Sequence, residues 1–495
     1  MGVRTGAEYL QGLRSSPRDV WVGGQRVDNV ADHPAFCAVA REIAALYDMQ
    51  HQPEHRDSLT ALDAVTGERC GIAFEPAQTV DDLRRRREGF RLWAEASFGL
   101  LGRSPDFLNT TLLALWEDRS VFGEAGERYA DNVAWYYDHV RRHDLFLSHA
   151  LVPPQNDRTK QSHEQGSLHL RVTGEEDDGI RISGARMIAT LGPVADEILL
   201  YNLPGMKPGD EDHALICAVP AGAPGLRQIC REPYVIAGER AAFDHPLSTR
   251  FEESDSLLVF HDVFVPWERV FSYRDVKLSG DMYFRTAIRN HTAYQTNTRA
   301  LAKMQFATGL AMAVARSIGA DAFLHVQHML GECIGYVEHL KSGLARAEVE
   351  AERTASGTLR PALAPLQTLR TMLPQAYPRV IEILQTIGAG GFMLMPSGAD
   401  LAAEEIAGDT ATYYAGAQLP SIDRVKLFKL AWDLAGEAFG QRLVQYERYY
   451  AGDPVRNIAG TYLAVDDTDY RRLVDAALAL AGEPQPAGAA PGSGA

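Results

Sequence analysis

The chain has 495 residues, 46% of them hydrophobic and 23% charged, an ordinary composition for a water-soluble protein large enough for two or three structural units. Its net charge of −16 argues against nucleic acid, whose phosphates reward positive fields. No apolar run reaches the roughly 18–20 residues that cross a bilayer. The opening stretch lacks a signal peptide's apolar core, and Gly6 stands where myristoylation needs Ser or Thr, so we expect no membrane association and a cytoplasmic location.

From residue 4 to about 147 the apolar spacing is mostly helical, as in "DNVAWYYDHVRRHDLFLSHAL". The basic run Arg84 to Arg87, with acids on both sides, reads as a solvated helix face. In "GRSPDFLNT" (102–110), Pro105 and Asp106 suit the first turn of a helix. Arg103 just before them is either an exposed arginine at a helix start or a guanidinium aimed at an anionic or phenolic oxygen.

Between about 148 and 278 the texture becomes strand-like, with "GIRISGARMIAT", "EILLYNL" and "SLLVFHDVFVP" separated by Gly, Pro and Asp. His149 stands at the helix-to-strand transition. After it, Pro153 and Pro154 force an extended path that exposes Gln155, Asn156, Asp157 and Arg158, either as a functional loop or as a polar connection. Thr190 lies between two strands.

Helical patterns return over 279–481. In "RNHTAYQTNTRA" (289–300), His291 sits among Asn290, Gln295 and Asn297 at a helix start. It reads as a proton carrier, a metal ligand or a hydrogen-bonded core histidine. "GAGGFM" (388–393) follows a helix rather than a strand, so close helix packing fits it better than a dinucleotide loop. "FGQRLVQYERYYAGDPVRNIAG" (439–460) brings Arg442, several tyrosines and a Gly-Asp-Pro turn. The tail over 482–495 has no apolar anchor and should be disordered. The paired histidines (51 and 55, 139 and 143, 325 and 328) lack further ligands at metal spacing, and the five cysteines form no C-x-x-C, so no metal site is expected. Helices, then strands, then a helical bundle indicate an α+β protein.

Taken together, "RTGAEYLQGLR", "GRSPDF", "SHALVPPQNDR", "HTAYQTNTRALAKMQFATGLA" and "QTIGAGGFMLMPSGADL" resemble the reduced-flavin-dependent aromatic monooxygenases typified by the large component of 4-hydroxyphenylacetate 3-monooxygenase. Chlorophenol monooxygenases and carrier-linked tyrosine hydroxylases are similar. The resemblance implies an acyl-CoA-dehydrogenase-like fold: an N-terminal helical domain (1–147), a middle β-barrel (148–278) and a C-terminal four-helix bundle (279–481) that builds a homotetramer. It implies FAD rather than FMN, delivered as FADH2 by a separate NAD(P)H:flavin reductase. With molecular oxygen this gives a flavin C4a-hydroperoxide that hydroxylates a phenol ortho to its hydroxyl.

Position by position, the resemblance implies that Arg103 meets the substrate hydroxyl, that His149 lies between substrate and flavin, and that Ala150 and Leu151 bind the flavin. Gln155, Asn156, Asp157 and Arg158 look like a flavin loop, and Thr190 like a flavin-ring contact. His291 looks like a base, Arg442 like a substrate contact, and Gly452, Asp453, Pro454 and Val455 like a segment closing over the flavin. Phe107 stands where 4-hydroxyphenylacetate enzymes have a phenol-holding tyrosine. Asn202 and Leu203, at the expected substrate-tail position, form no obvious carboxylate-binding pair. Both departures point to a different small aromatic, free or carrier-tethered. The rivals are oxygenation of an indole, aniline or amine nitrogen, and a silent flavin-binding paralogue. A related dehydratase uses a histidine like His291 as an iron–sulfur ligand, but Thr298 replaces its cysteine partner and no cysteine lies between Cys70 and Cys217.

Overall fold

The computed structural model describes residues 2–63 and 66–481. The expected disordered tail lies outside the described residues. The first helix, Gly6–Ser15, opens with a capping box in which Thr5 Oγ1 accepts from Glu8 N (3.2 Å) and Glu8 Oε2 accepts from Thr5 N (2.7 Å). The next residues depart from the helical texture. "DVWVGGQR" is a hairpin of strands Asp19–Val22 and Gln25–Arg26, turning through Gly23 and Gly24, both at positive φ (+59° and +77°).

This hairpin joins the middle of the molecule. Asp19–Val22 runs parallel to Leu226–Cys230 in a six-stranded sheet, followed by Asp255–Pro266, Gly179–Thr190 and Arg171–Glu176. A second sheet has the order Val270–Tyr273, Leu215–Pro220, Glu197–Leu200, Leu147–Ala150. The two sheets share one core, with Ile180, Ile182 and Val263 from the first meeting Ile198, Leu200 and Ile216 from the second. A bridge from Val152 to Met187 joins them at one edge. Leu112 and Tyr136, from helices Pro105–Glu117 and Glu127–His143, pack into the same core. Covered on both faces, Glu197–Leu200 is buried throughout and shows no polar alternation.

The helical remainder is organised around Ile288–Ser317, which packs against Leu324–Val349, Leu363–Met393, Val80–Ala96 and Pro105–Glu117. Its polar opening turns have a structural use. Asn290 Nδ2 donates to Pro361 O (2.9 Å) and Asn297 Nδ2 to Leu366 O (3.1 Å), tying down the start of the neighbouring helix. In "GAGGFM", a Cβ on Gly388 would lie 2.2 Å from the Phe392 ring and one on Gly391 2.9 Å from Phe428, so these glycines serve close packing. One sequence expectation fails here. Arg86 is not solvated but fully buried, and Arg87 pairs with the buried carboxylate of Glu348 at 2.6 Å.

Candidate active site

The site begins with the loop ahead of helix Pro105–Glu117. Gly102 is needed there because a Cβ would sit 2.5–2.9 Å from the Tyr446 ring and hydroxyl. Glu253 Oε1 accepts from the backbone N–H groups of Gly102 (2.7 Å) and Arg103 (3.2 Å), which fixes the loop. The Arg103 side chain is thereby directed inward. Its Nε donates to His149 Nε2 (3.1 Å), its Nη1 meets the Tyr446 hydroxyl, and its Cζ lies 4.3 Å above the Phe107 ring centroid.

His149 is held by strand register, since Leu147–Ala150 runs parallel to Glu197–Leu200 with His149 opposite Leu199. Tyr201, just past that partner strand, lies 2.5 Å from His149 Nδ1 and itself bonds to Tyr283. Because Arg103 can only donate, Nε2 accepts, and the ring proton sits on Nδ1 facing Tyr201. Burial, reinforced by the positive charge of Arg103, holds His149 well below the usual imidazole range and keeps it neutral. The Phe107 ring stands edge-on to it at 5.5 Å.

The resemblance makes Arg442 a substrate contact, and the structure shows what its guanidinium bonds to. Its guanidinium is committed to Glu253 Oε2 (2.5 Å) and Asp255 Oδ1 (2.7 Å), and Asp255 also accepts from the Thr190 hydroxyl (2.7 Å). These ion pairs outweigh burial and pull Asp255 down to about 2. Arg442 therefore orients the glutamate that holds Arg103, one step behind the pocket. Asn202, expected at the substrate tail, is engaged by backbone. Its Nδ2 donates to His213 O (2.9 Å) and its Oδ1 accepts from Leu215 N (3.2 Å), so it staples backbone, while Leu203 is exposed.

His291 is not joined to Arg103 or His149 by any bond among the described residues. It is fully buried, with Arg86 Nη1 donating to Nδ1 (2.9 Å) and Nε2–H donating to Glu117 Oε2 (2.8 Å). Both ring nitrogens are taken, so the expected base is a satisfied core histidine in this state. The cause is Arg86, which lies buried against Nδ1 rather than on the solvated face its charged neighbours suggest.

The residues expected at the flavin differ in exposure. Ala150 is buried and Leu151 half-buried, while Gln155, Asn156 and Arg158 are exposed, and Asp157 accepts from Thr159 N (3.0 Å). Gly452 turns at φ +95°, Asp453 caps the helix begun by Pro454, and Val455 is exposed. One observation fits a flavin here. Arg186, beside the Val152–Met187 bridge, is buried, forms no ion pair among the described residues and leaves Nε unbonded. Burial pulls it down to about 10. Two residues on, Ile188 is half-exposed at φ +63°, a strained conformation for a β-branched residue. An electron-rich, flat ligand would supply both the missing acceptor and the apolar cover.

Sequence reading passed over Tyr201, Tyr283, Glu253, Arg186 and Tyr446. Tyr446 and Tyr450 carried a signal, since their i, i+4 spacing places both on one helix face.

The fold is the acyl-CoA-dehydrogenase-like one; an archaeal 4-hydroxybutyryl-CoA dehydratase from N. maritimus shares it at 18% identity (TM-score 0.85, covering 97% of this chain and 96% of that one). Within that class the family is narrower. The models for the 4-hydroxyphenylacetate 3-hydroxylase N terminal and C terminal regions match residues 5–272 and 279–479, and the chain belongs to that family. It is 40% identical over 477 residues to the 4-hydroxyphenylacetate 3-monooxygenase oxygenase component of Thermus thermophilus, covering 96% of this chain and 97% of the relative. A solved oxygenase component of 4-hydroxyphenylacetate 3-monooxygenase, complexed with FAD and 4-hydroxyphenylacetate, superposes with a TM-score of 0.91 at 39% identity, covering 96% and 98%.

Proposed function

We propose that this chain is the oxygenase of a two-component monooxygenase that hydroxylates a small phenol ortho to its hydroxyl. In this reading it uses reduced FAD from a separate NAD(P)H:flavin reductase and molecular oxygen, and works in the cytoplasm as a homotetramer. The observation that carries the reading is the 3.1 Å bond between Arg103 Nε and His149 Nε2 inside a wall of Phe107, Tyr201 and Tyr446.

When bound, the reduced flavin activates oxygen; the chain's own residues prepare the ring that receives it. A free phenol has a pKa near 10, so roughly one molecule in a thousand is ionised at neutral pH. A phenol oxygen placed against Arg103 is favoured as the anion, and each unit of pKa shift corresponds to about 1.4 kcal/mol. His149 Nε2 carries the one lone pair of its ring, which accepts from Arg103 Nε in this state; a phenol that takes over the Arg103 N–H frees it to receive the proton. The phenolate formed beside it offsets the positive field of Arg103 that otherwise keeps the imidazole neutral. Tyr201 and Tyr283 continue the hydrogen-bond chain behind it. Phe107 and the ring of Tyr446 exclude water from the oxygen-bearing edge.

The test is coupled oxygen consumption with a flavin reductase, comparing tyrosine-like, chlorophenolic and indolic compounds. Catechol-type product from phenols supports the reading. Oxygen use with no product from any compound identifies a silent flavin binder, and product from nitrogen compounds alone identifies the N-oxygenation rival.

A further inference from the structure

Beside Arg103 stand two further arginines, Arg289 and Arg370, that no carboxylate pairs with among the described residues. Arg103 Nη2 reaches the carbonyl of Tyr450 (3.5 Å), and Arg370 Nη2 donates to the adjoining carbonyl of Ala451 (3.2 Å). One helical turn before Arg370, Gln367 accepts from Arg289 Nη2 (3.2 Å). The three guanidinium groups therefore lie in a row along the Tyr450–Ala451 carbonyls and the Gln367 amide. None of the three forms an ion pair among the described residues. Glu447, the buried carboxylate of this region, is committed to Arg299 and Lys303 at 2.8 Å each.

Unused hydrogen-bonding capacity faces this row. Arg370 Nε and the Tyr450 hydroxyl are both buried and unbonded. Leaving a desolvated cation without a counterion is costly, and the protein as a whole has acidic residues to spare. Burial lowers Arg370 from its ordinary value, and the field of Arg103 lowers it further. Such an arrangement is stable when an anion from outside completes it.

We propose that Arg370, flanked by Arg289, is the recognition site for a carboxylate on the phenolic substrate, so that the enzyme takes anionic phenols anchored at both ends. The inference rests on the phenol reading above and names its substrate class. It also accounts for the two sequence departures. Phe107 cannot bond the hydroxyl and Asn202 is spent on backbone, so orientation comes from the tail held by Arg370.

The test measures binding by calorimetry, without turnover, of 3-(4-hydroxyphenyl)propanoate and its neutral amide to wild-type enzyme, Arg370→Ala, Arg370→Lys and Arg289→Ala, with FAD affinity and oligomeric mass measured in parallel. Wild type should bind the carboxylate at least about 10-fold tighter than the amide, the value of one charge-assisted fork. Arg370→Ala should bring the ratio to about one with amide affinity unchanged. Arg370→Lys should keep part of the preference, because a point charge replaces a planar fork. A wild type indifferent to the carboxylate overturns the proposal. So does an Arg370→Ala variant that keeps the preference but loses FAD affinity or its assembly, since the row would then hold a flavin phosphate or a subunit contact. Discrimination without any hydroxylation would leave this proposal standing and remove the monooxygenase reading instead.

Discussion

Arg103 and His149 form a donor–acceptor pair in which the arginine's Nε, rather than the tips of its fork, engages the imidazole. One end of the guanidinium is thus fixed while Nη1 and Nη2 remain turned toward Tyr446 and the Tyr450 carbonyl. Substituting Arg103 by Ala should lower kcat/KM for phenol hydroxylation by about 100-fold or more, the size of two lost charge-assisted interactions. FAD affinity should be retained. Steady-state oxygen and product measurements check this, and unchanged coupling of oxygen to product would make Arg103 a bystander.

His149 is held neutral, and this gives a pH signature. Its folded-state pKa lies below the unfolded value near 6.5, so on acidification the unfolded chain takes up a proton first. The stability contributed by the neutral ring is complete above about pH 6.5 and is lost as the pH falls below it. His149→Gln, which keeps a hydrogen-bonding side chain, should flatten the dependence of denaturant midpoint on pH between roughly 6.5 and 5. A slope equal to that of wild type would show that the ring titrates normally.

His291 separates two readings of the same residue. As a core histidine bonded to Arg86 and Glu117, its replacement by Ala should cost about 3 kcal/mol of stability, because two buried charged groups lose a partner. The pH profile of hydroxylation should be unchanged. A shifted profile at unaltered stability would return the base role to His291.

Phe107→Tyr would place a hydroxyl beside Arg103 and His149. A single neutral hydrogen bond contributes about 0.5–1.5 kcal/mol, so the affinity for a bound phenol should rise about 3- to 10-fold. Titration with 4-hydroxyphenylacetate measures it, and weaker binding would show that the phenol oxygen points elsewhere.

The Arg442–Asp255 pair predicts acid sensitivity of the loop it supports. Asp255, lowered to about 2 from an unfolded value near 3.8, contributes stability that is fully present above about pH 4 and lost as the pH falls toward 2. The amount at neutral pH is on the order of 2 kcal/mol. Arg442→Met should remove that acid-dependent part and also reduce activity by loosening Glu253 and, through it, Arg103. Full activity in the variant would mean that the loop holds itself.

The order of helices, strands and helices was legible because period-3.6 and alternating patterns report which faces are buried. That Arg103 and His149 come together was legible from the family resemblance, and the Pro105 helix start from its turn chemistry. What failed was anything decided by a distant partner. Arg86 looks solvated among its charged neighbours, and only the approach of His291 from 205 residues away makes it a core residue. Arg442 looks like a free cation until Glu253 and Asp255 arrive from another strand segment. Asn202 is a polar loop residue in sequence and a backbone staple in space. The hairpin at Asp19–Arg26 was missed although its Gly-Gly turn is written plainly, because its flanking strands are short and their sheet partner is remote.

That hairpin constrains how the chain is made. Asp19 pairs in register with Arg227, so the amino-terminal ribbon has no sheet to join until more than two hundred further residues have been synthesised. Through that interval Trp21 and Val22 wait as an open edge, and closure over so long a separation is slow. Maturation of the enzyme is thus gated by its own beginning, and a bulky fusion placed ahead of Gly6 would act on yield of folded protein before it touched any rate of reaction.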